Sequence, residues 1–132
     1  MKYLLDTNIC IYLIKKKPEK VLKKLKTLNI SDVANSVITV SELEYGVQKS
    51  KNQEQNKIAL IEFLAPLVIL SYTDKAAIEY GKLRAYLEAT GKSIGSLDML
   101  IAAHALSEHL TLITNNVKEF NLVPCLKIEN WV

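Results

Sequence analysis

The chain has 132 residues, 49% of them hydrophobic and 23% charged, with a formal net charge of +3. These values are ordinary for a globular protein, and the length suits one domain over 1–132 with a core that needs no disulfide or metal staple. No apolar run approaches the roughly 18 residues that span a membrane, and the N-terminus lacks the parts of a secretory signal.

In chain order, KYLLD reads as a short buried strand, followed by a helix from about Thr7 to Lys16. Pro18 suits the first turn of a second helix running to about Leu28, with Val21, Leu25 and Leu28 on its inner face. VANS (33–36) is a further strand, and ITVSELEYGV opens a helix on which Val40, Leu43 and Val47 share a face. Residues 52–65 form a helix that ends at Pro66, and LVILS (67–71) is a β-branched strand. TDKAAIEYGKLRAYLEATG is a periodic helix with Ala76, Tyr80, Leu83 and Leu87 along one stripe and Gly91 past its end. SLDMLIAAHALSEH is apolar nearly all round and reads as a buried helix. TLIT (111–114) is a strand, NNVKEF a turn or short helix, and CLKIENW a last strand region. Short apolar strands alternating with helices predict an α/β fold whose mostly parallel sheet is covered on both sides.

Charge is uneven along the chain. Residues 15–26 hold seven lysines and one glutamate, so the remaining 120 residues are net acidic. That patch is either a solvated helix face or an attraction for nucleic acid, and the two are compatible. Cys10 and Cys125 lie in apolar sequence without CxxC spacing, which predicts reduced thiols in a cytoplasm.

Acidic and amide groups recur where strands pass into helices. Asp6 ends the first strand, Glu42 lies early in the helix after VANS, and Asp98 follows Gly95-Ser96 at the start of the apolar helix. Asn115, Asn116 and Glu119 follow TLIT directly. Ligands of open α/β sheets bind beyond the carboxyl ends of the strands, where such junctions gather. Taken singly, each acid has a local explanation as a helix cap or a dipole partner. Gathered in an apolar surround, they repel one another unless a cation neutralises them. An all-oxygen set suits Mg²⁺ or Mn²⁺, and the absence of HExxH, CxxC or clustered histidines argues against zinc. GxxxxGK[ST], GxGxxG and GxSxG are also absent. His104 reads as a hydrogen-bonded core residue or a support for the site, and His109 as a partner of a helix C-terminus.

LLDTNICIYLI, ITVSELEYGV, GKSIGSLDMLIAAHAL and TLITNNVKEFNLVP, in that order, resemble the PIN-domain family, and within it the VapC toxins of bacterial toxin–antitoxin pairs. The resemblance covers nearly the whole chain. It implies a three-layer PIN-like fold and an endoribonuclease that holds Mg²⁺ or Mn²⁺ with Asp6, Glu42 and Asp98. The family often has a further Asp after the last core strand, where this chain reads Thr114-Asn115-Asn116. Asn116, Glu119 or both then complete the set. Thr7, Asn8 and Thr114 are implied as supporting hydrogen-bonding residues. Asp6 and Asp98 are expected as direct ligands, with Glu42 and Glu119 as ligands, directly or through water, or as groups that orient water.

Lys15, Lys16, Lys17, Lys20, Lys23 and Lys24 are candidates for the RNA backbone, as is Arg84, whose plainer reading is a surface ion pair. The resemblance further implies a VapB-type antitoxin that blocks the acidic site, a toxin homodimer, a tRNA substrate such as the initiator tRNA, and DNA contact only through the antitoxin. Two competing readings remain on the residues alone. A phospho-accepting receiver domain would need an acidic pair before the strand-end Asp and a Lys after the last strand, and the chain has neither. A non-catalytic RNA- or protein-binding module would use the lysine helix and leave the acids idle.

Overall fold

A computed structural model describes all 132 residues. The short apolar stretches become strands β1 (Tyr3–Leu5), β2 (Val33–Ser36), β3 (Val68–Leu70), β4 (Thr111–Ile113) and β5 (Ile128–Glu129). The periodic stretches become helices α1 (Thr7–Lys15), α2 (Glu19–Lys26), α3 (Val37–Lys49), α4 (Gln53–Leu64), α5 (Asp74–Ala89), α6 (Ser96–Ser107) and α7 (Val117–Phe120). Pro18 caps α2 from outside, one position earlier than the sequence suggests, and the helix stops at Lys26 short of Leu28.

All strand pairs are parallel, in the order β3-β2-β1-β4-β5. Tyr3 lies opposite Val33 and Thr111, and Leu4 opposite Ala34 and Leu112. The period of two then sends Leu4, Ala34 and Leu112 to one face, where they meet Leu83, Leu87, Ile101, Ala102 and Phe120. Leu5, Val33 and Ile113 go to the other face, against Ile9, Leu13, Leu43, Val47, Leu60 and Trp131. Two apolar layers thus clamp the central strands, each fully buried Val, Leu, Ile or Phe contributing about 1.5–3 kcal/mol of hydrophobic stabilisation.

The sheet is covered on both sides only at its centre: β3 is an edge strand, and Val68 and Ile69 are 41% and 44% exposed. Cys125 is exposed in a left-handed turn (φ 66°), whereas Cys10 is buried; both thiols are free. No helix is long and apolar enough to cross a membrane.

Candidate active site

The strand order reverses between β1 and β4, since the chain builds outward to β3 before crossing back. A crevice opens at such a reversal beyond the carboxyl ends of the strands. Asp6 stands there. Its backbone N–H continues the ladder to the Ile113 carbonyl at 2.8 Å, and its side chain caps α1, with Oδ1 accepting the Thr7 N–H at 2.8 Å. Oδ2 accepts the Thr114 hydroxyl at 2.8 Å, so β4 and β1 are tied across the reversal. Burial raises the Asp6 pKa, and Glu42 and Glu119 add to it, while the Thr114 and Thr7 bonds pull it back.

Thr7 also reaches α3. Its Oγ1 donates to Glu42 Oε1 at 2.8 Å and lies 3.3 Å from the Thr39 hydroxyl. Thr39 and Glu42 are three residues apart and so share a helix face. Thr39 is fully buried beneath the site.

Glu119, in the first turn of α7, is held at both oxygens. Oε1 accepts the Gly95 N–H at 2.6 Å, and Oε2 accepts the Asn116 side-chain amide at 2.9 Å. These bonds, Gly95 first, keep its pKa below the ordinary value. Asp98, in the first turn of α6, is half-buried and is pushed up to about 7, by burial first and then by Asp6 and Glu119. The two shifts oppose each other across one pair. The hydrogen bonds decide between them: Glu119 keeps the charge and Asp98 takes the proton. A Cβ on Gly95 would lie 3.5 Å from Asp98 Oδ2 and 3.7 Å from Glu119 Oε1, so the missing side chain leaves open space between these two acids.

Asp6, Glu42, Asp98 and Glu119 therefore lie within electrostatic reach of one another, although no three acidic, His or Cys side chains are drawn into one ligand cluster. Their oxygen-only donors, mutual repulsion and open cradle fit a hard divalent cation. Thr7, Thr114 and Asn116 support the acids, while Asn8 is exposed and bonds none of them. Thr39, the Gly95 N–H and Lys118, which is exposed beside the cleft formed by Gly95, Asn116 and Glu119, do not stand out in the sequence. Nor does the Asn115–Tyr12 hydrogen bond of 2.8 Å. Only the Thr39–Glu42 spacing was a signal that could have been read from sequence.

The lysines of 15–26 are exposed, and two are paired, Lys23 with Glu19 and Lys24 with Glu129, each at 3.9 Å. Arg84 takes its plainer role, 3.1 Å from Glu88 and 3.2 Å from the Tyr80 hydroxyl.

An all-parallel five-stranded sheet with acids gathered at its reversal is the architecture of a nuclease of the PIN class, and comparison with known proteins bears this out. The PIN domain model matches residues 3–124. Ribonuclease VapC2 of Rickettsia felis is 48% identical over 132 residues, covering 99% of this chain and 98% of that protein. The tRNA(fMet)-specific endonuclease VapC of Salmonella typhimurium is 42% identical over 131 residues, covering 99% and 98%. Among solved structures, VapBC2 from Rickettsia felis bound to a promoter DNA fragment superposes with a TM-score of 0.94 at 47% identity, covering 100% of both chains. The DNA-bound VapBC of Salmonella typhimurium gives 0.95 at 41%, covering 100% and 99%. The chain belongs to the PIN-domain family and, within it, to the VapC-type ribonucleases.

Proposed function

We propose that this chain is a divalent-metal-dependent endoribonuclease, the toxin of a toxin–antitoxin pair, which hydrolyses phosphodiester bonds of tRNA in the cytoplasm. The observation that carries this reading is the meeting of four carboxylates at the β1/β4 reversal, with Asp98 pushed up to about 7 by its neighbours. Such repulsion is relieved by Mg²⁺ or Mn²⁺ held by Asp6 and Asp98, with Glu42 and Glu119 as further ligands or partners of water. When bound, the cation supplies charge neutralisation at the phosphate oxygens.

The remaining work belongs to the chain. Thr114 and the Thr7 N–H hold Asp6 rigid, and the Thr7 hydroxyl turns Glu42 toward the same space. Glu119, kept ionised by Gly95 and Asn116, is suited to orient an attacking water. The exposed lysines of 15–26, together with Lys118, attract the RNA backbone without selecting sequence.

The tRNA assignment, with the initiator tRNA first among candidates, follows the name of the Salmonella relative. The partner assignment follows the VapBC complexes, both solved with DNA; a VapB-type antitoxin that covers the site and carries the DNA contact, and a toxin homodimer, are what membership of the family implies. A groove of Ile11, Ile14, Leu43, Val47 and Leu60, ending at Glu42, offers an apolar seat for the antitoxin. A non-catalytic binding module is the weaker reading, because it leaves the acids without a role. The test is cleavage of purified tRNA by the wild type, Asp6→Asn and Asp98→Asn, with Mg²⁺ or Mn²⁺ added after chelation. Loss of cleavage in both folded variants, and metal-restored cleavage in the wild type, is expected. Unchanged cleavage in both variants overturns the proposal.

A further inference from the structure

Neighbouring residues at the end of β2 send polar side chains to opposite faces of the sheet. Asn35 Oδ1 accepts from Cys10 Sγ of α1 at 3.1 Å, and Ser36 Oγ lies 2.7 Å from His104 Nδ1 of α6. All four residues are fully buried. Ser36 also caps α3, its Oγ accepting the Ile38 N–H at 3.1 Å. With Ser36 Oγ already accepting the Ile38 N–H, we assign its hydroxyl proton to His104, which makes Nδ1 the acceptor and leaves the ring proton on Nε2. Burial holds the His104 pKa below the ordinary value, which keeps the ring neutral as this bond requires.

Packing alone does not account for a histidine here. The ring lies near the Ser71 backbone, yet Nε2 completes no hydrogen bond, and the Tyr72 ring packs edge-on at 5.2 Å. A leucine fills similar space without a buried orphan donor.

We propose that the His104–Ser36 hydrogen bond is a positioning device that sets Glu42 against Asp98, a role that rests on the nuclease reading of those acids. It joins the last turn of α6, whose first turn carries Asp98, to the cap of α3, whose second turn carries Glu42. Ser36 and Glu42 are six residues apart, a lever of about 9 Å at about 1.5 Å per residue. A tilt of α3 by about 6° at its cap then moves Glu42 by about 1 Å, and such a misplacement costs on the order of a hundredfold in rate.

The test crosses volume against hydrogen bonding. His104→Leu keeps the volume and removes the acceptor; His104→Asn loses volume but keeps an acceptor where Nδ1 sits. With tRNA and saturating Mn²⁺, His104→Leu is expected to melt at or above the wild-type temperature yet lose on the order of tenfold to hundredfold in kcat, with KM within about twofold. His104→Asn melts lower and keeps most of kcat. Ser36→Ala loses kcat like His104→Leu, and the double variant is no worse than either alone. Asp98→Asn is the control. Wild-type kcat in His104→Leu beside an inactive Asp98→Asn overturns the positioning role alone, as does a kcat that follows melting temperature across the variants. Wild-type kcat in Asp98→Asn overturns the nuclease reading itself.

Discussion

Replacing Asp98 by asparagine is expected to stabilise the metal-free protein above neutral pH. The Asp98 carboxyl is pushed from 3.8 to about 7, chiefly by burial and then by Asp6 and Glu119. Between those values the folded state keeps a proton that the unfolded chain releases, so stability falls as pH rises from about 4 to about 7 and stays low beyond. At about 1.4 kcal/mol per pH unit the full penalty is about 4 kcal/mol, and screening of a half-exposed group reduces it to about 2. Asparagine stays neutral and still offers a donor to Glu119, so it escapes that penalty. For a chain of this size the gain is roughly 6–10 °C in melting temperature. His104, held neutral by burial, acts with the opposite sign, losing stability as pH falls through 6.5. It is present in both proteins, so the difference curve isolates Asp98. The assay is thermal unfolding of wild type and Asp98→Asn in chelator from about pH 3.5 to about pH 8. The two are expected to converge near pH 4, to separate up to about pH 7 and to hold a constant difference beyond. A difference that does not change between about pH 4 and about pH 7 would refute the reasoning.

Three further outcomes are expected. Gly95→Ala is sterically tolerated, since φ is −59° and the new methyl meets ordinary contacts at 3.5 and 3.7 Å. It fills the cradle, so it should fold like the wild type while losing the melting-temperature rise that millimolar Mn²⁺ brings; an undiminished rise counts against the cradle. Thr114→Val removes the buried hydroxyl that donates to Asp6 and accepts the Asn116 N–H at 2.9 Å, and should cost about 1–3 kcal/mol in urea unfolding. A variant as stable as the wild type would show that Asp6 does not depend on it. Converting Lys20, Lys23 and Lys24 together to Gln should weaken tRNA binding and lower the slope of log affinity against log salt by about 2–3, with kcat retained. An unchanged slope would remove these lysines from the RNA path.

Where local pattern and tertiary arrangement agree, the sequence was legible. The strand VANS begins and ends where it was read, and the seam of Ala76, Tyr80, Leu83 and Leu87 faces inward on α5. The β3 edge was not legible, because a β-branched run looks alike at the centre and margin of a sheet, and only strand order separates the two. The exposure of Cys125 was not legible either, because its left-handed backbone places it at the surface amid apolar sequence. Among the acids, Asp6, Glu42 and Asp98 stand out in the sequence by their place at strand-to-helix junctions, and the fold brings them within electrostatic reach. The choice between Asn116 and Glu119 does not show there, because it depends on a bond from Gly95, 24 residues away, that no spacing encodes. The structure has Asn116 donating to Glu119, which joins them in one hydrogen-bonded unit. His104 and Ser36, 68 residues apart, show the same limit: each reads as core or cap, and only the fold joins them.

The most direct test of the central claim is sequencing of RNA ends from cells expressing the wild type beside cells expressing Asp98→Asn at equal protein level. New ends at a defined position in tRNA, the initiator tRNA first among them, should appear with the wild type and be absent with the variant. The same ends in both, or none with the wild type, would contradict an acid-dependent ribonuclease.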